Sequence, residues 1–96
     1  MNHCILAKYK SEIDDSRKEE LAEEINALFQ NTTSINGIHS VKIHKNCVSR
    51  ENRFDIMIII TMDREALEEY DECIWHKKWK EKYANYLDKK AIFDYE

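Results

Sequence analysis

The sequence predicts an α+β fold: a four-stranded antiparallel sheet with all of its helices on one face, in a single domain spanning residues 1–96. Three observations predict it. Extended and helical patterns alternate in the order β-α-β-β-α-α-β, too interleaved for a helical bundle, and the middle pair of strands is too close in sequence for a parallel crossover. Gly37 is the one glycine and proline is absent, so no flexible linker divides the chain. The third strand is apolar on both sides, which places it at the centre of the sheet. Together these give the split β-α-β, ferredoxin-like topology.

Each element has a local cause. Residues 3–9 alternate as a strand, with His3, Ile5, Ala7 and Tyr9 on one face and Cys4, Leu6 and Lys8 on the other. Ser16-Arg17-Lys18-Glu19 reads as a capping box that opens the first helix. Leu21, Ile25, Leu28 and Phe29 then recur at helical spacing, and Glu19, Glu20, Glu23 and Glu24 mark the wet side. Residues 31–34 (Asn-Thr-Thr-Ser) form a loop, and Asn36-Gly37 turns the chain into a second strand over residues 38–47. After a polar break at 49–53, residues 54–62 are a β-branched and apolar run, the third strand. Asp63 is placed to cap a short helix carrying Ala66, Leu67 and Tyr70. After a break near Cys73 a further helix covers 75–87, and residues 90–95 form the last strand.

Composition excludes several classes of function. A formal charge of -4 gives no general attraction to phosphate backbones, so nucleic acid is not expected as a partner. The lysines around Trp79 alternate with Glu81, Glu72 and Asp71 and read as a solvated face. No run of about 18 apolar residues is present and the opening residues are too polar for a signal peptide, so neither membrane insertion nor export is expected. Cys4, Cys47 and Cys73 form no CxxC and cannot all pair, which reads as free thiols in a reducing cytoplasm. His39 and His44 lack ligand-spaced neighbours, and there is no phosphate loop or nucleophile elbow. No metal and no cofactor is therefore expected.

With every helix on one side, the other sheet face is left bare. Phe54, Ile56, Ile58 and Ile60 load one face of the third strand, while Met57 and Ile59 load the other, joined there by Leu6 and Phe93. Such a patch predicts a homodimer that pairs sheet to sheet.

The same residues carry a family resemblance over nearly the whole chain. They are the His3-Cys4-Ile5-Leu6 strand with Lys8-Tyr9-Lys10, the Gly37-Ile38-His39-Ser40-Val41 turn and the Phe54-Asp55 opening. Glu65-Ala66-Leu67-Glu68-Glu69-Tyr70 follows, with His76 six residues later and a closing Ile92-Phe93-Asp94-Tyr95. In these the chain resembles the stress-responsive dimeric α/β-barrel (Dabb) proteins. Where that family usually carries His-Pro-x-His, this chain has Cys73-Ile74-Trp75-His76. The resemblance implies a dimeric α/β barrel built from two sheets. Most members have no established activity, but a plant member, olivetolic acid cyclase, is a cofactor-free polyketide cyclase. The distant likeness to it implies that His3 and His76 match two catalytic histidines and Tyr70 a catalytic tyrosine. Ile25 and Ile56 stand where that enzyme has a tyrosine and a histidine.

The residues themselves leave two readings open for each of these positions. His3, in phase with Ile5, is either a core histidine or a pocket base. His76 lies at a helix N-terminus, which disfavours imidazolium, and it also belongs to the stripe His76, Trp79, Tyr83, Leu87. Tyr70 either orients a substrate oxygen or closes the core. The leading expectation is a homodimer that binds a small apolar or aromatic ligand between sheet and helices, in a pocket lined by Ile5, Ala7, Ile25, Ile56, Ile58, Trp79 and Tyr83. The alternatives are a cofactor-free cyclase, isomerase or lyase using the histidine pair, and a structural stress-protective oligomer.

Overall fold

A computed structural model describes residues 1–96. Its strands are β1 (Asn2–Tyr9), β2 (Ile38–Lys45), β3 (Ile56–Met62) and β4 (Leu87–Tyr95), and its α-helices are α1 (Asp15–Gln30), α2 (Leu67–Glu72) and α3 (Ile74–Tyr83). Short 3-10 turns occupy Asn31–Ser34, Arg64–Ala66 and Ala84–Tyr86. The sheet order is β2-β3-β1-β4 with every neighbour antiparallel, so the predicted ferredoxin-like class and its two central strands are observed.

The element boundaries depart from the expectations where side chains compete. Asp14, not Ser16, caps α1: its carboxylate accepts the Arg17 N–H at 2.8 Å, so Ser16 is already inside the helix and the expected capping box does not form. Asp63 does not cap through its side chain, because that carboxylate is bonded to His39 Nε2 at 2.9 Å. The expected loop at 31–34 is a 3-10 turn whose Thr32, Thr33 and Ser34 hydroxyls donate back to helix carbonyls. β2 ends at Lys45 instead of 47, since Asn46 turns to bond Asp55 and Phe54. β3 begins at Ile56, two residues late, although the Asp55 N–H still reaches the Ala7 carbonyl. The last helix starts at Ile74 and ends at Tyr83, and β4 starts at Leu87 because a bulge at Lys8 and Tyr9 prolongs its pairing with β1. Gly37 makes the β2 turn with a φ of 92°, and a Cβ there would lie 3.1 Å from that of Ala66.

The core lies between the sheet and α1 and α3. Ile5, Ala7 and Tyr9 of β1, Ile56, Ile58, Ile60 and Met62 of β3, Leu21, Ile25 and Phe29 of α1, and Trp79 and Tyr83 of α3 are all buried in one cluster. Phe29 meets Trp79 edge-on at 5.3 Å. Arg17 bonds Glu24 and Tyr86, and the Tyr83 hydroxyl donates to Glu24, which ties α1 to the end of α3.

Strand register puts Phe93, Cys4, Ile59 and Lys42 in one row across the helix-free face, and Ala91, Leu6, Met57 and His44 in the next. Phe93 is 64% exposed there, and Leu6, Met57 and Ile59 are only partly buried. The apolar second face is thus present on the protomer.

Candidate functional site

The beginning of β1, the end of β4 and the α2–α3 corner converge on one cluster. Alternation along β1 turns His3 toward the helices in phase with Ile5, and α2 packs Tyr70 over it, so His3 is nearly buried and Tyr70 wholly so. Their rings meet edge to face at 5.4 Å. On its other side Tyr70 meets the His76 ring at 5.0 Å. The phenol therefore stands between two imidazoles drawn from residues 73 positions apart.

Hydrogen bonding fixes which ring nitrogens are free. His3 Nδ1 lies 2.5 Å from Asp94 Oδ1, and a carboxylate oxygen accepts, so the hydrogen is on Nδ1 and Nε2 is left open. His76 Nδ1 donates to the Asp71 carbonyl at 2.9 Å, which likewise leaves Nε2 unprotonated in the neutral ring. Burial holds the His76 imidazole below the usual histidine range, and Lys80 and Lys90 push the same way, while the Asp71 carbonyl opposes them. At neutral pH the His76 ring is therefore mainly uncharged.

Tyr70 is unusual among these groups. Its hydroxyl is buried with no hydrogen-bond partner, whereas the Tyr83 hydroxyl has Glu24. Burial raises the Tyr70 phenol well above its ordinary value, with Cys73 and Asp71 adding to the effect. Tyr9 is the other buried tyrosine with an unpartnered hydroxyl, but it lies at the opposite end of β1 with no histidine beside it.

The three candidate residues His3, Tyr70 and His76 are thus brought together. The seven residues expected to line a pocket are placed differently. Ile5, Ala7, Ile25, Ile58 and Trp79 are packed core and line none of the five principal clefts, while Ile56 and Tyr83 only touch clefts at the surface. Close aromatic and isoleucine packing fills the space where the ligand was expected. The largest cleft, about 690 Å³, lies instead at the far end of β1 between Lys8, Lys10, Arg50 and Arg53. The helices also stop short of β4, where Lys90, Ile92 and Asp94 are exposed on the helix side next to His3. None of the five principal clefts is lined by His3, Tyr70 or His76.

Sequence reasoning missed Asp94 as a functional partner. The usable signal was parity: in a β1–β4 antiparallel pair, an acid in the closing strand can face the helices opposite His3. No three histidine, cysteine or acidic side chains come together as a metal-ligand group. No helix is long and apolar enough to cross a membrane.

A four-stranded antiparallel sheet with its helices packed on one face and an apolar second face defines the class of small ferredoxin-like α+β proteins. The whole chain, residues 1–96, matches the model of the stress responsive A/B barrel domain, and the protein belongs to that family. A protein from Arabidopsis thaliana shares 24% identity and superimposes with a TM-score of 0.74, over 99% of this chain and 92% of that one. A dimeric ferredoxin-like protein of unknown function from Bacteroides fragilis is 15% identical, with a TM-score of 0.81 over 99% and 93% of the two chains. A hydroxynitrile lyase from Passiflora edulis is 12% identical, with a TM-score of 0.73 over 98% and 89%. No protein of curated function matches the chain significantly. The likenesses to solved structures establish the fold.

Proposed function

We propose that the protein is a homodimer that binds a small, largely apolar compound bearing a carbonyl or hydroxyl oxygen, and that this oxygen is held at the His3–Tyr70–His76 cluster. The observation that carries the reading is the Tyr70 hydroxyl, a buried donor without a partner on a ring that meets the rings of both His3 and His76. An unmet buried hydroxyl costs about 1–3 kcal/mol, which a ligand oxygen would offset. In this reading the compound approaches along β4, where Ile92 is exposed and His76 half-buried. The bare face supports the dimer, with Phe93, Leu6, Met57 and Ile59 as its contact, and three solved structures of similar fold are of dimeric proteins.

The test is a thermal-shift screen with small aromatic ketones, esters and phenols. Binders are expected to raise Tm in the wild type and to raise it clearly less in Tyr70→Phe. Shifts that are equal in both proteins would place binding elsewhere.

A second reading is favoured by the neutral, half-buried His76 with Nε2 free: cofactor-free proton transfer. In it His76 takes a proton from carbon next to the carbonyl, and the Tyr70 O–H donates to the developing enolate oxygen. Asp94 then acts as a positioning residue that keeps the His3 tautomer fixed. One of the similar structures is a lyase, which accords with chemistry of this kind on the fold. Exchange of the ketone's α-protons with deuterated solvent, followed by NMR, should depend on the protein and disappear in His76→Ala. A bound ketone whose protons do not exchange would remove this reading and leave the binding role intact.

A further inference from the structure

We propose that the large cleft at the far end of β1 is a binding site for a small organic anion, a carboxylate or phosphate ester with an aromatic or apolar body. Its walls are the end of β1, the turn into α1 and the loop over residues 48–55, at the end of the sheet away from the His3–Tyr70–His76 cluster. None of Leu6, Met57, Ile59 and Phe93, the proposed dimer contact, lines it. Its volume of about 690 Å³ falls in the range of small-molecule sites, roughly 300–1,000 Å³, and exceeds what a single inorganic ion fills.

The depth at which the two signs of charge sit selects an anion. Lys8, Lys10 and Arg53 are half-buried in the lining. The ion pairs made by lysine and arginine side chains use Arg17, Lys18, Lys45, Arg64 and Lys82, and none of these three. Lys8 gives one N–H to the Arg53 carbonyl at 3.0 Å and Arg53 gives one to the Asn52 side chain at 2.7 Å, so both keep further donors. Arg50, exposed, adds a fourth cation.

The carboxylates of the lining do not cancel these charges. Asp55 is occupied, one oxygen accepting from Lys18 at 3.2 Å and the other from the Tyr9 N–H at 2.8 Å. Glu12, Glu51 and Asp88 are exposed, so water and salt screen them. Cations partly withdrawn from water without a counter-charge are costly, and an anion beside them gains charge-assisted hydrogen bonds. Half-buried Phe54 and exposed Val48 offer the ligand's apolar body its contact.

The test is an NMR titration of the isotope-labelled full chain at low ionic strength. Phenyl phosphate and benzoate are the probes, with benzyl alcohol as the uncharged counterpart and inorganic phosphate as the bare ion. At least one organic anion should shift amides of residues 8–12 and 48–55 saturably and bind at least about tenfold more tightly than benzyl alcohol, the factor that one charge-assisted hydrogen bond supplies. The tighter of the two assigns the head group. Lys10→Gln and Arg53→Gln should each weaken binding at least about threefold, Arg53→Lys less than Arg53→Gln, and Glu51→Gln not at all. Arg53 reaches only the exposed Asn52 and the Lys10 side chain makes no hydrogen bond, so these variants should fold. Benzyl alcohol or inorganic phosphate binding as tightly as the organic anions, no shifts at these residues, or unchanged affinity in both glutamine variants overturns the proposal. Tyr70→Phe should bind the anions as the wild type does, and loss of binding there would move them to the Tyr70 cluster and equally overturn it.

Discussion

Replacing Tyr70 by phenylalanine should make the protein more stable. The Tyr70 side chain is fully buried, its ring contacts are kept by phenylalanine, and the single atom removed is an oxygen that bonds to nothing. A buried hydroxyl without a partner costs about 1–3 kcal/mol, so a gain of about 1–2 kcal/mol is expected. For a domain of this size each kcal/mol moves Tm by about 4–8 °C, which makes the rise about 4–16 °C. Tyr83→Phe is the built-in contrast, because its hydroxyl donates to Glu24 at 3.3 Å, and it should lose about 0.5–1 kcal/mol. Calorimetry and urea unfolding, run at one protein concentration so that association does not confuse the comparison, give both numbers. The reasoning is refuted if Tyr70→Phe is less stable than the wild type, for then the hydroxyl has a partner after all. If it is right, the more stable variant is the poorer binder, a trade of stability for a poised donor.

Ile59→Asp should abolish the proposed sheet-to-sheet dimer, because it would bury two charges without partners where the bare faces meet. Light scattering at micromolar concentration decides it. Gly37→Ala should cost about 1–2 kcal/mol in urea unfolding, since φ is 92° and the new Cβ lies 3.1 Å from that of Ala66. For His76 the folded value is below the unfolded one, near 6.5, so its contribution is complete above that pH. It is lost as pH falls from there through the lower folded midpoint. An NMR titration of the ring should show that lower midpoint with the hydrogen on Nδ1, and His76→Gln should flatten this part of the stability curve.

Much of the fold was legible because period and parity are local. The apolar run of β3 and the stripe Leu21, Ile25, Phe29 each announce what they pack against, and both lie in the core. Boundaries were less legible where two polar residues offer rival caps. Asp14 and Ser16 both suit a cap, and only geometry gives the Arg17 N–H to Asp14. Parity also brought His3, Tyr70 and His76 toward one another. The filled interior was not legible, because sequence names the side chains facing inward but not whether Phe29, Trp79 and Tyr83 leave room among them. Nor was the bond between His3 and Asp94, since two side chains 91 positions apart meet only through the β1–β4 register.

That register also sets an order of events during folding. β1 is flanked by β3 and β4, with Asn2 opposite both Thr61 and Tyr95, so the first strand to leave the ribosome waits for the last ones. Contacts this distant in sequence slow closure of the chain, and until β4 docks the unpaired edge of β1 is open to other chains. A nascent chain held short of residue 87 would display β1 beside an unfilled edge and lack Asp94 opposite His3. Stalled or truncated copies are therefore where self-association during synthesis should concentrate.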